Sequence, residues 1–312
     1  SYIATGGMIP QGADSVIKIE DVLVDSAKNE IVITSPIPKG WHVRFRGGDM
    51  KSGDIVLQNG TLLTPFAVGA LANLGQMAVN VVQKPRVAIL TSGDELVMPF
   101  EDPKPWQIRD SNSLTISSQV SELGGVPMIL GITKDNVEQA VRKIKFACDV
   151  ANVVVTCGGV SVGEMDPFIA AFQEMNAEKR VHGVAIKPGK PFFFGLIKGK
   201  PIFGLPGNQA SSAITFELFV RPFLKRMLRC QNPDRRIIYL PLNQPSFNSS
   251  DRDLFKQAKF FTKEQNTFAY ILEKQESHLR TSLLEMDILV RHPRGISELA
   301  PDQMVECRLL NS

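Results

Sequence analysis

Cysteine, histidine and tryptophan are scarce in this chain of 312 residues, at four, four and two copies. The cysteines, Cys148, Cys157, Cys230 and Cys307, form no C-x-x-C pair and have no histidine at ligand spacing. That pattern supports neither a zinc site nor a disulfide framework, and predicts four buried thiols. No apolar run reaches the length of a membrane span and no secretory leader opens at Ser1, so a cytoplasmic globular protein without membrane contact is expected. A net charge of +3, with no basic stripe interleaved with aromatics, excludes nucleic acid as the expected partner. It does suit small anionic ligands. Apolar residues at 43% and charged residues at 21% are ordinary for a globular chain. The length exceeds what one core supports, which predicts two or three domains.

The opening stretch, Ser1 to Glu20, begins as if in the middle of a structure, which implies a polypeptide segment upstream. An alternating strand at Val16 to Glu20 is expected there, followed by short strands at Val22 to Val24, Glu30 to Thr34 and His42 to Arg46, with Pro and Gly turns between them. This reads as a β-rich domain over residues 1–48. A helical and β linker follows over 49–84, where Thr64-Pro65 caps a helix reaching Leu74 and Gly75 stops it.

From 85 to 230 strands alternate with helices, the signature of a three-layer α/β domain joined by right-handed crossovers. The predicted elements are strand Arg86–Leu90, helix Ser113–Leu123, strand Val126–Leu130, helix Asn136–Cys148 with Asp135 as its N-cap, strand Val153–Thr156 and helix Pro167–Met175. Short strands around 184–195 and 201–205 and a long helix after Leu205-Pro206-Gly207 complete it. Residues 231–312 read as β segments separated by polar turns, most simply a small barrel or sandwich.

Functional signals cluster in the α/β part. Val153 to Asp166 runs from a buried strand into Gly158-Gly159 and a loop of small residues ending in a carboxylate before Pro167. Paired glycines let consecutive backbone N–H groups point at an anion, and strand carboxyl ends are where open sheets bind ligands. Tight packing alone is the alternative for a lone Gly-Gly turn. Thr91-Ser92-Gly93-Asp94-Glu95 would place carboxylates at the same sheet end, or be an ordinary capping turn. Asp110-Ser111-Asn112-Ser113 is a helix cap in its simplest reading. Lys187-Pro188-Gly189-Lys190-Pro191 holds two cations in a rigid turn that could meet phosphate or an oxyanion, or simply be solvated. Leu205-Pro206-Gly207-Asn208-Gln209-Ala210-Ser211-Ser212 gathers amide, hydroxyl and helix N-terminal donors, which is anion-binding chemistry.

Taken together and in this order, these segments, with IATGGMIPQGAD and VRFRGGDMKSGD upstream, resemble the molybdopterin molybdenumtransferases: bacterial MoeA, its plant counterparts and the E domain of gephyrin. The resemblance runs from Ile3 to about Arg229. It implies a pterin-binding α/β domain flanked by β-rich domains, a homodimer, and transfer of molybdate into adenylylated molybdopterin with Mg²⁺, giving molybdenum cofactor and AMP. By the same resemblance Asp166 and Glu95 hold the cation or orient the pyrophosphate, and Asp135 stands beside the pterin cleft. Thr5 and Asp49 act in trans on the other subunit's cleft. Gly158, Gly159, Ser161 and Gly163 form the pterin-phosphate loop, and Lys187 and Ser211 serve molybdate. Lys190 and Asn208 join the substrate-binding set. A molybdopterin adenylyltransferase and apo-molybdoenzymes are the partner proteins it suggests.

The chain also departs from the family's pattern. An arginine-bearing segment of relatives is replaced by apolar and acidic residues at Ser282 to Leu289, and a second arginine by Gln257, while Arg252 is kept. The family's Met-Asp-Gly-Tyr-Ala segment is not among these residues. The alternatives are an adenylyltransferase, which carries GGTG where this chain has GGVS, a CinA-type hydrolase, and a scaffold with a vestigial site.

Overall fold

A computed structural model describes residues 1–25, 27–28, 30–160, 166–273, 275 and 281–310. The chain divides into two compact units, Ser1–Asn59 and Gly60–Ser312.

The first unit is mostly turns around one small hairpin, β1 (Leu23–Asp25) antiparallel to β2 (Glu30–Val32). Its N-terminal stretch is pinned where Val16 N–H donates to Trp41 O at 2.9 Å and Gly40 N–H to Asp14 O at 2.9 Å. Two expected strands are absent. Ile19–Asp21 is a 3₁₀ turn, and His42 to Arg46 is consumed by successive turns, with His42 left-handed at φ 55 and N–H to carbonyl bonds from Val43 to Gly40 and Gly48 to Phe45. Glycines at both ends of a five-residue stretch leave no length for a ladder.

In the second unit, helix α1 (Pro65–Asn73) is capped as its sequence predicts, Thr64 Oγ1 accepting from Ala67 N–H at 3.2 Å. Then comes β3 (Arg86–Ser92), the β4–β5 ribbon (Leu96–Val97 with Ile108–Arg109), α2 (Asn112–Glu122), β6 (Val126–Thr133), α3 (Val137–Val150), β7 (Val153–Cys157) and α4 (Pro167–Glu174). Strands β8 (Glu178–His182), β9 (Ile186–Lys187), β10 (Phe193–Ile197) and β11 (Lys200–Leu205) follow. β8 was not expected because its residues are all exposed and polar-rich, as an edge strand allows. α5 (Gln209–Thr215) continues through a π-helical turn at Phe216–Val220 into α6 (Arg221–Met227).

The sheet order is β6-β3-β7-β11-β10-β8, parallel from β6 to β11 and antiparallel beyond. Period-2 alternation within wholly apolar strands explains the three layers. Val87, Ile89, Val153 and Val155 face α2 and the α5–α6 helix through Ile116, Val120, Phe216 and Leu224. Ala88, Leu90 and Val154 face α3 and α4 through Ala140, Ile144, Phe168 and Phe172. Each fully buried Ile, Leu or Phe contributes about 1.5–3 kcal/mol. From β3 the chain goes through α2 to β6 on one side, then through α3 to β7 on the other. The two crossovers diverge and leave a crevice above the carboxyl ends of β3 and β7.

The C-terminal part is a sheet ordered β12-β18-β16-β14-β15, built from Ile237–Pro241, Met304–Leu309, Ile288–His292, Asp253–Lys263 and Asn266–Ile271. A bridge from Leu242 to Ala269 joins its first and last strands. β13 (Ser246–Phe247) pairs with β17 (Glu298–Leu299), α7 covers Thr281–Leu284, and β9 adds in parallel to β14. The four cysteines are free, but only Cys157 and Cys307 are buried; Cys148 and Cys230, on a helix flank and just past a helix end, are half-buried. Among the described residues no helix is long and apolar enough to cross a membrane.

A buried ionic cluster joins the start of the C-terminal part to the π-helical turn. Arg235 Nε donates to Glu217 at 2.9 Å, Arg221 lies 3.8 Å from the same carboxylate, and Gln119 donates to its other oxygen at 2.8 Å. Side-chain exposures of 4%, 8% and 9% for Arg235, Arg221 and Glu217 mean that removing this carboxylate takes the buried one of two carboxylate partners from two buried cations, the half-exposed Glu122 staying at 3.0 and 3.9 Å. Glu217→Ala should therefore cost about 3–5 kcal/mol, read as a lowered urea midpoint. His292 is wholly buried, its Nε2–H donating to Ile296 O at 2.8 Å and its Nδ1 accepting from Ser246 Oγ at 2.9 Å. Burial lowers its pKa from 6.5, against a smaller upward pull from Ile296, with Lys256 adding to the lowering. The unfolded chain thus takes up this proton first, so the stability contribution is complete above about pH 6.5 and is lost as pH falls below it. The melting temperature should drop between pH 7.5 and 5, and the drop should shrink in His292→Gln.

Candidate functional site

The crevice over β3 and β7 is a cleft of about 630 Å³ whose walls are the loops following four parallel strands. From β3 come Ser92, Gly93 and Glu95; from β5 and the start of α2, Arg109, Asp110, Ser111 and Asn112; from the loop after β6, Asp135. Cys157 to Val160 and Asp166 follow β7, and Pro206 to Gln209 follow β11.

The floor depends on Gly158 and Gly159, both left-handed at φ 78 and 64. A Cβ on Gly158 would meet Ser92 O at 2.8 Å, and one on Gly159 would meet Phe168 Cδ2 at 2.8 Å and Asp166 Oδ1 at 2.9 Å. The turn is therefore pressed against β3 below and the Asp166 carboxylate above. Gly158 N–H donates to Leu205 O at 3.1 Å, and the Cα of Gly158 stands 3.5 Å from where a Cβ on Gly207 would lie. Three loops thus share one contact point. Asn112 ties them together, donating to Gly207 O at 2.6 Å and accepting from Ser212 Oγ at 3.2 Å. Its bridging role was not foreseen, since within the Asp-Ser-Asn-Ser segment it reads as a capping residue.

The carboxylates differ in their surroundings. Asp110 is buried, with Oδ2 accepting from Thr91 Oγ1 at 2.8 Å and Oδ1 from Ser113 N–H at 3.1 Å. It is the capping group of α2, as its segment suggested. Asp135 is exposed and accepts from Ser92 Oγ at 3.0 Å. It is not the N-cap of α3; Asn136 is, its side chain accepting from Gln139 N–H at 2.8 Å, because the polar side chain directly ahead of the helix reaches that donor. Glu95 folds back over Gly93, its oxygens 2.6–2.7 Å from where a Cβ would be. Among the described residues no group of three or more His, Cys, Asp or Glu side chains stands close enough to hold a metal ion. Burial and the nearby Asp110 charge push the Cys157 thiol far up, so it is a neutral packing group.

Of the residues singled out from the sequence, Glu95, Asp135, Gly158, Gly159, Asp166 and Asn208 come together here. Ser161 and Gly163 lie outside the described residues. Lys187, Lys190 and Ser211 do not line the cleft. Lys187 and Lys190 are exposed, on β9 and the turn after it, while Ser211 is buried in α5. That turn packs on α5 because Gly189 has no side chain to strike Thr215, whose Oγ1 donates to Ser211 O at 2.8 Å. Thr5 and Asp49 are exposed residues of the first unit. Gln257 is buried in β14, its backbone N–H donating to Gln275 Oε1 at 3.0 Å and its carbonyl accepting from Gln275 Nε2 at 2.9 Å. Glu285 pairs with Lys259 at 2.7 Å.

A family model described as a probable molybdopterin binding domain matches residues 88–226, and one for the MoeA N-terminal region, domains I and II, matches 1–75. A curated protein named molybdopterin molybdenumtransferase from Haemophilus influenzae is 37% identical over 226 residues, 72% of this chain and 55% of that protein. One of the same name from Bacillus subtilis is 28% identical over 310 residues, 99% of this chain and 72% of that protein. A Staphylococcus aureus relative of that name aligns over 53% of its own length, so the chain spans about half of some curated relatives that it matches. The crystal structure of the molybdopterin biosynthesis MoeA protein from Pyrococcus horikoshii superposes with a TM-score of 0.79 at 34% identity, covering 98% of this chain and 74% of that one.

Because a methyl on residue 159 has no room, Gly159→Ala should displace Asp166 and Phe168 and destabilise the chain by about 1–3 kcal/mol. Thermal denaturation reads the loss directly.

Proposed function

This chain belongs to the MoeA family of molybdopterin biosynthesis proteins, and from that membership we propose that it is a molybdopterin molybdenumtransferase. In this reading molybdate and adenylylated molybdopterin are the substrates, molybdenum cofactor and AMP the products. One observation carries it: Glu95, Asp135, Gly158, Gly159, Asp166 and Asn208, drawn from four separate stretches of sequence, meet at the switch point of a parallel sheet. The relatives named above share that activity in name. The four-part division at residues 48, 84 and 230 belongs to the same reading.

The Gly158-Gly159 turn receives the pterin phosphate, with Asn208 at the head of the neighbouring helix. Two exposed-to-half-buried carboxylates, Glu95 and Asp166, are the residues that would hold Mg²⁺. Their hard oxygens suit an ion that binds through one or two carboxylates and substrate phosphates and keeps its own waters. When bound, the ion offsets the repulsion between two anionic substrates. Asp135, held by Ser92 Oγ, orients the loop after β6 toward the ligand. Lys187 and Ser211 serve molybdate, Lys190 belongs to the substrate-binding set, and Thr5 and Asp49 complete the partner subunit's cleft in a homodimer. An upstream adenylyltransferase and downstream apo-molybdoenzymes are the proteins that supply and receive its ligands, in the cytoplasm.

Asp166→Asn keeps the size of the side chain and removes its charge. Turnover, followed as AMP release from adenylylated molybdopterin with molybdate and Mg²⁺, should fall about 100-fold or more. Unchanged turnover would remove Asp166 from the mechanism.

A further inference from the structure

Four carboxylates, Glu95, Asp110, Asp135 and Asp166, line a cleft read above as receiving phosphate esters, yet among its described lining residues a single side chain, Arg109, is cationic. We propose that Arg109 is a phosphate-binding residue of this cleft, a role that rests on that reading and adds a residue to it.

The backbone around Arg109 is immobilised. Ile108 N–H donates to Glu95 O at 2.9 Å and Asp110 N–H to Val97 O at 2.9 Å, so the peptides on either side of Arg109 are both bonded to β4. The next side chain, Asp110, is anchored in the core by Thr91 and Ser113. The guanidinium therefore swings from a stationary Cα at the cleft mouth, which limits the conformational entropy lost on binding. Its ion pair is with Asp102 at 3.4 Å, and that carboxylate is fully in water while the Arg109 side chain is 49% exposed. Water screens such a pair, and an incoming phosphate displaces it at little cost. The planar fork of donors matches two phosphate oxygens at once, which a lysine at the same place would not.

The test is calorimetric titration of the full chain with inorganic pyrophosphate in the presence of Mg²⁺. Wild-type chain should bind, Arg109→Gln should bind about 10-fold or more weakly, as loss of a charge-assisted pair implies, and Arg109→Lys should recover part of the difference. Asp102→Asn, which releases the guanidinium from its exposed partner, should tighten binding. Equal affinity of wild type and Arg109→Gln, or no binding by wild type, overturns the proposal. AMP release is measured separately: a chain that binds pyrophosphate through Arg109 but releases no AMP rejects the transferase reading and keeps the assignment of Arg109.

Discussion

Everything in the cleft depends on how closely the turn after β7 approaches β3. Two successive left-handed residues bring backbone to within van der Waals distance of Ser92 O on one side and of the Asp166 carboxylate on the other. An L-residue with a side chain pays twice there, once in φ and once in overlap, so the turn admits only glycine. The contact also fixes the neighbours. Gly207 packs on Gly158, Asn112 binds Gly207 O, and Ser212 binds Asn112, so the loops after β5, β7 and β11 are positioned by one small contact.

The electrostatics follow from that packing. Carboxylates from the loops after β3, β5, β6 and β7 line the cleft, and Asp110 has both oxygens engaged by partners in the core. Such a surface repels anions unless cations accompany them, and Arg109 is the one cationic side chain among the described lining residues. Lysines of the β9 turn sit outside the cleft lining, next to the C-terminal sheet that β9 extends.

Much of the α/β part was legible because its strands are apolar on both faces and its helices carry ordinary start and stop signals. Arg86–Ser92, Val126–Thr133 and Val153–Cys157 each begin at the residue the pattern predicts and run one to three residues further, where the chain leaves the sheet into a loop that still hydrogen-bonds. Less legible was the first unit. There the alternating stretch Val16 to Glu20 makes a single backbone bond, from Val16 to Trp41, in place of a ladder, and ends in a 3₁₀ turn at Ile19–Asp21. β8 was invisible for the opposite reason, since an edge strand with every residue exposed has no hydrophobic period.

The sequence alone determined which backbone could bend where: Gly158-Gly159, Gly207 and Gly189 are local facts, set by the absence of a side chain. It also determined the family, because motif order survives in one dimension. Which polar residues meet is a three-dimensional matter. Asp135 reads as a helix cap and is instead a partner of Ser92, 43 residues away, while Asn112 reads as a cap and joins loops 95 residues apart. Pairing across a sheet is decided by strand order, and strand order comes from how all the apolar faces are buried at once, a property that no single stretch of the chain carries.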